Sequence, residues 1–273
     1  MALRLDIRHL AAAAVAFAAF ALAPAAADAA GGSALGWGYN ASGQVGNGIV
    51  SSESCSCVPA PAPLLGITEA TEIVAGYEFG LALGAGGTVM SWGYNYGGEL
   101  GNGTTDLNPV PAPVPGLSNV VAVAAGSEFA LALLGDGSVM AWGENNYGQL
   151  GLGPPPGPED CKTVSCSTVP RKVPGITNAI AIAAYGYHSM ALLADGTVLS
   201  WGADEQGQQA DGVGTLTAGS CFCVPTPHPI AAASGAVAIT AGYYTGAALF
   251  ADGSVRDWGG NGRGDLGTGQ ASP

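Results

Sequence analysis

Positive charge is scarce in this chain: seven Lys and Arg stand against twenty Asp and Glu, for a formal net charge of −13. Nucleic acid and anionic membrane surfaces are held by clustered cations, so neither is an expected partner. Histidine is rarer still, with three in 273 residues, and charged residues of all kinds reach only 10%. The motifs of several large enzyme classes are missing as well. There is no Gly-x-Ser-x-Gly elbow, no His-Glu-x-x-His pair and no Asp-rich calcium loop. Glycine-rich GxG patterns occur, but none follows a strand and opens a helix, so no phosphate cradle is implied. Long apolar runs are also lacking. The stretch from Leu10 to Leu22 is too short to span a bilayer comfortably.

That stretch has a different reading. Arg4 and Arg8 precede it and Ala-Pro-Ala-Ala-Ala-Asp follows, which is the basic region, apolar region and small-residue cleavage site of an export signal. Residues 1–27 are expected to be removed on export to the periplasm or the exterior, with no membrane attachment afterwards. Losing Arg4, Asp6 and Arg8 takes the net charge from −13 to −14. Such an acidic surface favours solubility.

Six cysteines form three local pairs, Cys55/Cys57, Cys161/Cys166 and Cys221/Cys223. An even count in an exported chain implies disulfides. Each pair lies 18–24 residues after a tryptophan. The Cys161/Cys166 spacing closes a small loop easily. A Cys-x-Cys bond would be strained, so bridging between neighbouring loops stays open. Zinc sites usually show Cys-x2-Cys spacing, and no His accompanies any pair, so no metal and no cofactor are expected.

What the chain does have is a repeat. Trp-Gly occurs at Trp37, Trp92, Trp142, Trp201 and Trp258, which are all of its tryptophans, at intervals of 55, 50, 59 and 57 residues. A period near 50 marks a repeat architecture. After each Trp comes a Gly/Asn-rich turn and a small-residue segment: QVGNG from Gln44, ELGNG from Glu99, QLGLG from Gln149, DLGTG from Asp265. The unit at Trp201 departs, reading QQADGVG from Gln208. A proline-bounded loop follows, such as VPAPVPGL from Val110. Next come a buried strand (VVAVAAG ending at Gly126), an apolar strand (FALALL from Phe129) and a Gly-Gly or Asp-Gly hairpin turn, expected to need positive φ at both central residues. Four short strands per unit with period-2 alternation, and no helical stretch outside the signal, describe an all-β β-propeller over residues 33–273. The tryptophans are expected to pack between blades as structural residues.

Units such as SWGYNYGGELGNG followed by VVAVAAGSEFALALLGDGSVMAWG resemble the repeats of the regulator of chromosome condensation family. The resemblance implies four-stranded blades in a ring of about seven. It also implies a binding role. The best-known eukaryotic member exchanges nucleotide on a small GTPase and docks on chromatin, and secreted bacterial relatives, including a β-lactamase inhibitor, use the ring only to bind. Two departures matter. The family's Gly-x-x-His strand start holds Phe79, Phe129, His188 and Thr245 here, which makes His188 structural rather than a catalytic base. The chain also counts about four complete blades plus an orphan strand from Ser33 to Gly38, so the ring is expected to be incomplete or open. It could be an arc, a truncated product or a ring that a partner completes, with self-association through open blade edges.

Two loops per blade could carry recognition: the one before the apolar strand and the one after Trp-Gly. Together they give the candidate rim Tyr77, Glu78, Tyr94, Tyr96, Glu128, Glu144, Tyr147, Tyr187, Asp204, Tyr243 and Tyr244. Tyr supplies rigid contact area at low entropic cost. The reading is an exported, non-enzymatic module that binds a protein or cell-surface ligand. The alternatives are an inhibitor of a secreted enzyme such as a β-lactamase, and a polysaccharide-acting enzyme with carboxylates converging from different blades.

Overall fold

A computed structural model of the chain describes residues 34–52, 55–154, 157–210, 216–217 and 221–271; the expected export signal lies outside them. The described residues form five antiparallel sheets. The first sheet pairs β1 (Leu35–Tyr39) with β2 (Cys57–Pro63). The second runs in chain order through β3 (Ala70–Ala75), β4 (Phe79–Gly84), β5 (Val89–Gly93) and β6 (Asn108–Pro113).

The third sheet uses β7 (Val120–Ala125), β8 (Phe129–Leu134), β9 (Val139–Glu144), β10 (Glu159–Cys161) and β11 (Val164–Lys172), with β11 beside β9 and β10 outermost. The fourth repeats that order with β12 (Ala179–Tyr185), β13 (His188–Leu193), β14 (Val198–Ala203), β15 (Leu216–Thr217) and β16 (Cys221–Pro229). The fifth holds only β17 (Ala236–Ala241), β18 (Thr245–Phe250) and β19 (Val255–Gly259). The innermost strands β3, β7, β12 and β17 touch one another in sequence, which fans the sheets around a common axis as propeller blades. Among the described residues no strand pairing joins the first sheet to the last, and the arc is open.

The structure shifts the blade boundary. The proline-bounded segments expected as loops are strands β2, β6, β11 and β16, each paired to the Trp-Gly strand of its own unit. Proline cannot donate to a sheet ladder, but on the solvent side of an outer strand that donor is not needed. Each Trp-Gly strand is therefore third in its blade rather than last. Three sheets are filled to four strands or more, the fifth has the inner three, and the orphan strand β1 is paired with its own proline strand.

Two further expectations are corrected. In the hairpin turns only the second central residue has positive φ, as at Gly137 and Gly196. Gly137 N–H donates to the Leu134 carbonyl, and the Asp136 carboxylate instead accepts the Ser138 N–H at 2.9 Å, so Asp works here as a side-chain turn former. The Cys-x-Cys pair also closes within its own loop: Cys55–Cys57 and Cys161–Cys166 are disulfides, with Cα separations of 5.1 and 5.9 Å. The intervening Ser56, at φ 45°, turns the chain tightly enough for this. Cys223 is disulfide-bonded too, while the Cys221 side chain lies outside the described residues.

The core lies between blades rather than within them. Phe79, Leu81 and Leu83 of the second sheet pack with Val123, Ala130 and Trp142 of the third. Phe129, Leu131 and Leu133 pack in turn with Ala191 and Trp201 of the fourth. One interaction recurs at each junction. The indole N–H of Trp92, Trp142, Trp201 and Trp258 donates to the carbonyl of Gln44, Glu99, Gln149 and Gln208, at 2.8–2.9 Å. Each acceptor stands seven residues after the preceding unit's Trp. Two residues further on, Gly46, Gly101 and Gly151 hold positive φ and face the next indole so closely that a Cβ would fall within 2.9 Å of its Nε1. At the last junction Ala210, also at positive φ, takes this place beneath Trp258, so the seat accepts nothing larger than a methyl group. These four tryptophans therefore anchor each blade to the one before it.

Candidate functional site

In an antiparallel blade, the turn between the first and second strands and the turn after the third lie on the same edge. Backbone bonds tie them together: Tyr94 N–H donates to the Glu78 carbonyl, Glu144 to Glu128, Ala203 to Tyr187 and Gly260 to Tyr244. The two loop families of the candidate rim thus share one face of the arc. Adjacent blades are linked there as well, Tyr77 N–H to the Ser127 carbonyl at 2.9 Å and Ser127 N–H to the Gly186 carbonyl at 2.8 Å.

The post-Trp turn is braced from inside. Asn40, Asn95, Asn145, Asp204 and Asn261, each three residues after its Trp, accept the N–H of the residue five further on through Oδ1. Asp204 is fully buried in that role and does not stand on the rim. The next polar position, at the acceptor residue itself, bonds its own turn: Gln44, Gln149 and Gln208 accept the N–H two residues earlier. Glu99 replaces Gln there and accepts from Gly97 with both carboxylate oxygens.

That replacement creates a buried acid. Burial pushes the Glu99 carboxyl up to about 8, opposed by the Gly97 N–H and reinforced by Glu128. Glu144 is only 8% exposed. Its pKa is raised by burial first, then by a hydrogen bond to the Glu128 carboxyl. Tyr94 is raised to about 12 by burial and then by Glu99, Glu128 and Glu78. Tyr187 is raised by burial and then by Glu128 and Glu144. Tyr147 rises for the same reasons, with Glu205 added.

Aromatic contacts extend this centre along the rim. Ring centroids of Tyr147 and Tyr187 lie 5.0 Å apart, Tyr187 and Tyr243 6.5 Å, and Tyr243 and Tyr244 4.6 Å. Tyr185, not singled out in the sequence, joins at 6.1 Å from Tyr243. Tyr96 stacks on Tyr94 at 6.4 Å and carries Lys162 Nζ 4.7 Å over its face. Tyr77 makes none of these ring contacts and is 76% exposed, and Glu78 accepts from the Ser42 hydroxyl. The structure thus brings Tyr94, Glu128, Glu144, Tyr147, Tyr187, Tyr243 and Tyr244 together with Glu99. It leaves Tyr77 and Asp204 outside. Glu99 was missed, though the substitution of Glu for Gln at position seven of the unit was visible.

His188 is fully buried, and burial holds its pKa down to about 4. Glu159, Cys161 and Cys166 cluster closely, but both sulfurs are spent in the disulfide and offer no thiolate to a metal. Among the described residues no helix is long and apolar enough to cross a membrane.

Fold and rim together define an open-arc propeller whose one loop face is lined by tyrosine and carboxyl groups. The Regulator of chromosome condensation (RCC1) repeat matches residues 31–83, 86–133 and 136–192, with a second form of the same repeat at 120–149 and 179–208. The chain belongs to this family. Human WBSCR16 is similar in structure, with a TM-score of 0.68 at 24% identity over 85% of this chain and 58% of that one. Yeast RCC1 (Prp20), solved bound to Kap60, gives 0.65 at 24% over 80% of this chain and 50% of its own. A second structure of Prp20p from Saccharomyces cerevisiae, described with its binding to Gsp1p and histones, gives 0.65 at 23%, over 80% and 52%. These likenesses establish the fold. The chain spans little more than half the length of the proteins it matches.

Proposed function

We propose that the protein is an exported, non-enzymatic binding module that grips a basic patch on a partner protein through its rim. One observation carries the reading: Glu99 and Glu144 are buried, Glu144 is bonded through its backbone to Glu128, and no ion pair among the described residues reaches these carboxyls or the neighbouring Tyr147 and Tyr187 rings. The ion pair among the described residues is elsewhere, between Arg171 and Glu159. A Lys or Arg side chain entering between the rings would meet π faces and the carboxyl groups beside them. Lys162 over Tyr96 is the same contact made within the chain. Yeast Prp20p, solved bound to Kap60 and described with its binding to Gsp1p and histones, is a relative whose ligands are proteins, which supports a protein as ligand. The intraloop disulfides suit an oxidising compartment outside the cytosol.

The test is binding to an immobilised lysine-rich peptide, with a glutamate-rich peptide as reference. Glu128→Gln with Glu144→Gln should weaken binding at least tenfold. Asp136→Asn with Asp252→Asn removes two carboxylates from the hairpin turns and should leave binding near wild type. Equal losses from both pairs would reduce the effect to net charge and overturn the rim. An inhibitor of a secreted enzyme is the same surface with a defined target. Inhibition of β-lactamase by the wild type, lost in Tyr187→Ala, would select that form.

A further inference from the structure

Every internal blade junction is made by one device, and its two halves stand unfilled at opposite ends of the arc. At the head, Trp37 is 64% exposed, and among the described residues no acceptor faces its indole N–H. Its counterparts Trp92, Trp142 and Trp201 are buried, and each bonds the preceding turn. At the tail, the turn from Asp265 repeats the seat. Asp265 stands seven residues after Trp258, where Gln44, Glu99, Gln149 and Gln208 offer their carbonyls. Gly267 follows at φ +62°, the same angle as Gly101. Around Gly101 the next indole fills the space, yet nothing lies within 4 Å of the Cβ position at Gly267.

A second bond of the junction is also left open at both ends. Gly48, Gly103 and Gly153 donate their N–H to the Pro109, Thr168 and Pro225 carbonyls of the next blade's proline strand. Gly269 is the matching donor position at the tail, eleven residues after Trp258, and among the described residues its N–H makes no such backbone bond. The matching acceptor position at the head is Pro59 on β2, five residues before Leu64, as Pro109 precedes Val114 and Thr168 precedes Val173.

We propose that the head of one copy docks on the tail of another, with Trp37 seated on Gly267 and its N–H on the Asp265 carbonyl, and Gly269 bonded to Pro59. The occupant is a second copy of this chain because each end supplies what the other lacks, in the register that the chain itself repeats at its junctions. The contact is head-to-tail rather than two-fold, so copies close a ring or extend according to the rotation between them. It is independent of the rim, whose tyrosines and carboxyls take no part.

Sedimentation velocity of the 273-residue chain over a range of concentrations tests this, with a mixing experiment as the decisive arm. The wild type should gain mass with concentration. Trp37→Ala keeps its seat but loses the plug, and Gly267→Val keeps the plug but fills the seat, so each alone should remain monomeric. Mixed in equal amounts, they should form a dimer and nothing larger, because one working head meets one working tail. Ile180→Ala, an exposed apolar site away from both ends, should associate like wild type. A wild type that is monomeric throughout overturns the proposal. So does association by both single variants, or a mixture that stays monomeric while the wild type associates. Circular dichroism checks that the variants are folded. If one is not, the wild-type mass together with the oxidation of Trp37 at low and high concentration decides: rising mass with Trp37 becoming protected supports docking, and any other pairing refutes it.

Discussion

Trp37 and Trp142 hold the same position in their repeats, yet one is 64% exposed and the other completely buried. Their local sequences, LGWGY and VMAWGE, do not explain the contrast. What differs is the neighbour. Trp142 rests on Gly101 and donates to the Glu99 carbonyl of the blade before it, whereas no blade precedes Trp37 among the described residues. A repeat protein derives its stability from such junctions more than from its units, so an identical residue contributes much in the middle and little at the edge.

Truncating each tryptophan makes that contrast measurable. Trp142→Ala removes a buried indole and its hydrogen bond and should cost about 3–5 kcal/mol by denaturant unfolding. Trp37→Ala, measured on dilute monomer, should stay within about 0.5 kcal/mol of wild type. Comparable losses would mean that the head is packed like the middle.

The glycines sharpen the same comparison. Gly101→Ala and Gly267→Ala share φ +62°, so each meets a left-handed backbone cost of about 1–2 kcal/mol. Only at Gly101 does the new methyl meet an indole, 2.8 Å from Trp142 Nε1, which should add about 1–3 kcal/mol. The difference between the two variants isolates the seat from the backbone. Equal values would show that the seat contributes nothing.

A smaller effect belongs to the middle of the arc alone. Glu99 and Glu144 have folded pKa values above their unfolded ones, so the folded chain binds more protons between pH 4.5 and about 8. Their stabilising effect is complete below pH 4.5 and is lost as pH rises through that window. His188 acts in the opposite sense. Its folded pKa is depressed to about 4, so stability falls as pH drops below 6.5. Between pH 6.5 and 8 the carboxyls act alone, and the melting temperature should fall with rising pH. Glu99→Gln restores the residue found at the same place in three other turns. It should leave stability unchanged near pH 5 and raise it at pH 8. A melting temperature that stays flat from pH 6.5 to 8 in the wild type would contradict the buried acid.

The sequence carried the architecture further than the site. The Trp-Gly period, the turn asparagines and the alternation of FALALL are local signals, and each has one structural solution. The proline strands were misread because proline argues against a central strand, and only the sheet order shows that β6 is the outermost. The rim was legible as a list of loop residues but not as a cluster. Which carboxyls meet depends on how blades are set around the axis, so Glu144 could be joined to Glu128 and Glu99 only in three dimensions. Asp204 was misplaced for the opposite reason: its charge suggested exposure, while its position three residues after Trp201 made it the turn's internal brace.

The junction device is tested most directly by oxidative footprinting of the five tryptophans, read by mass spectrometry in dilute and in concentrated protein. In dilute protein Trp37 should be modified readily while Trp92, Trp142 and Trp201 are protected, and Trp258, partly buried at the last junction, falls between. On concentration Trp37 alone should become protected. A Trp37 already as protected as Trp142 in dilute protein, or one still fully reactive in an associated sample, would contradict it.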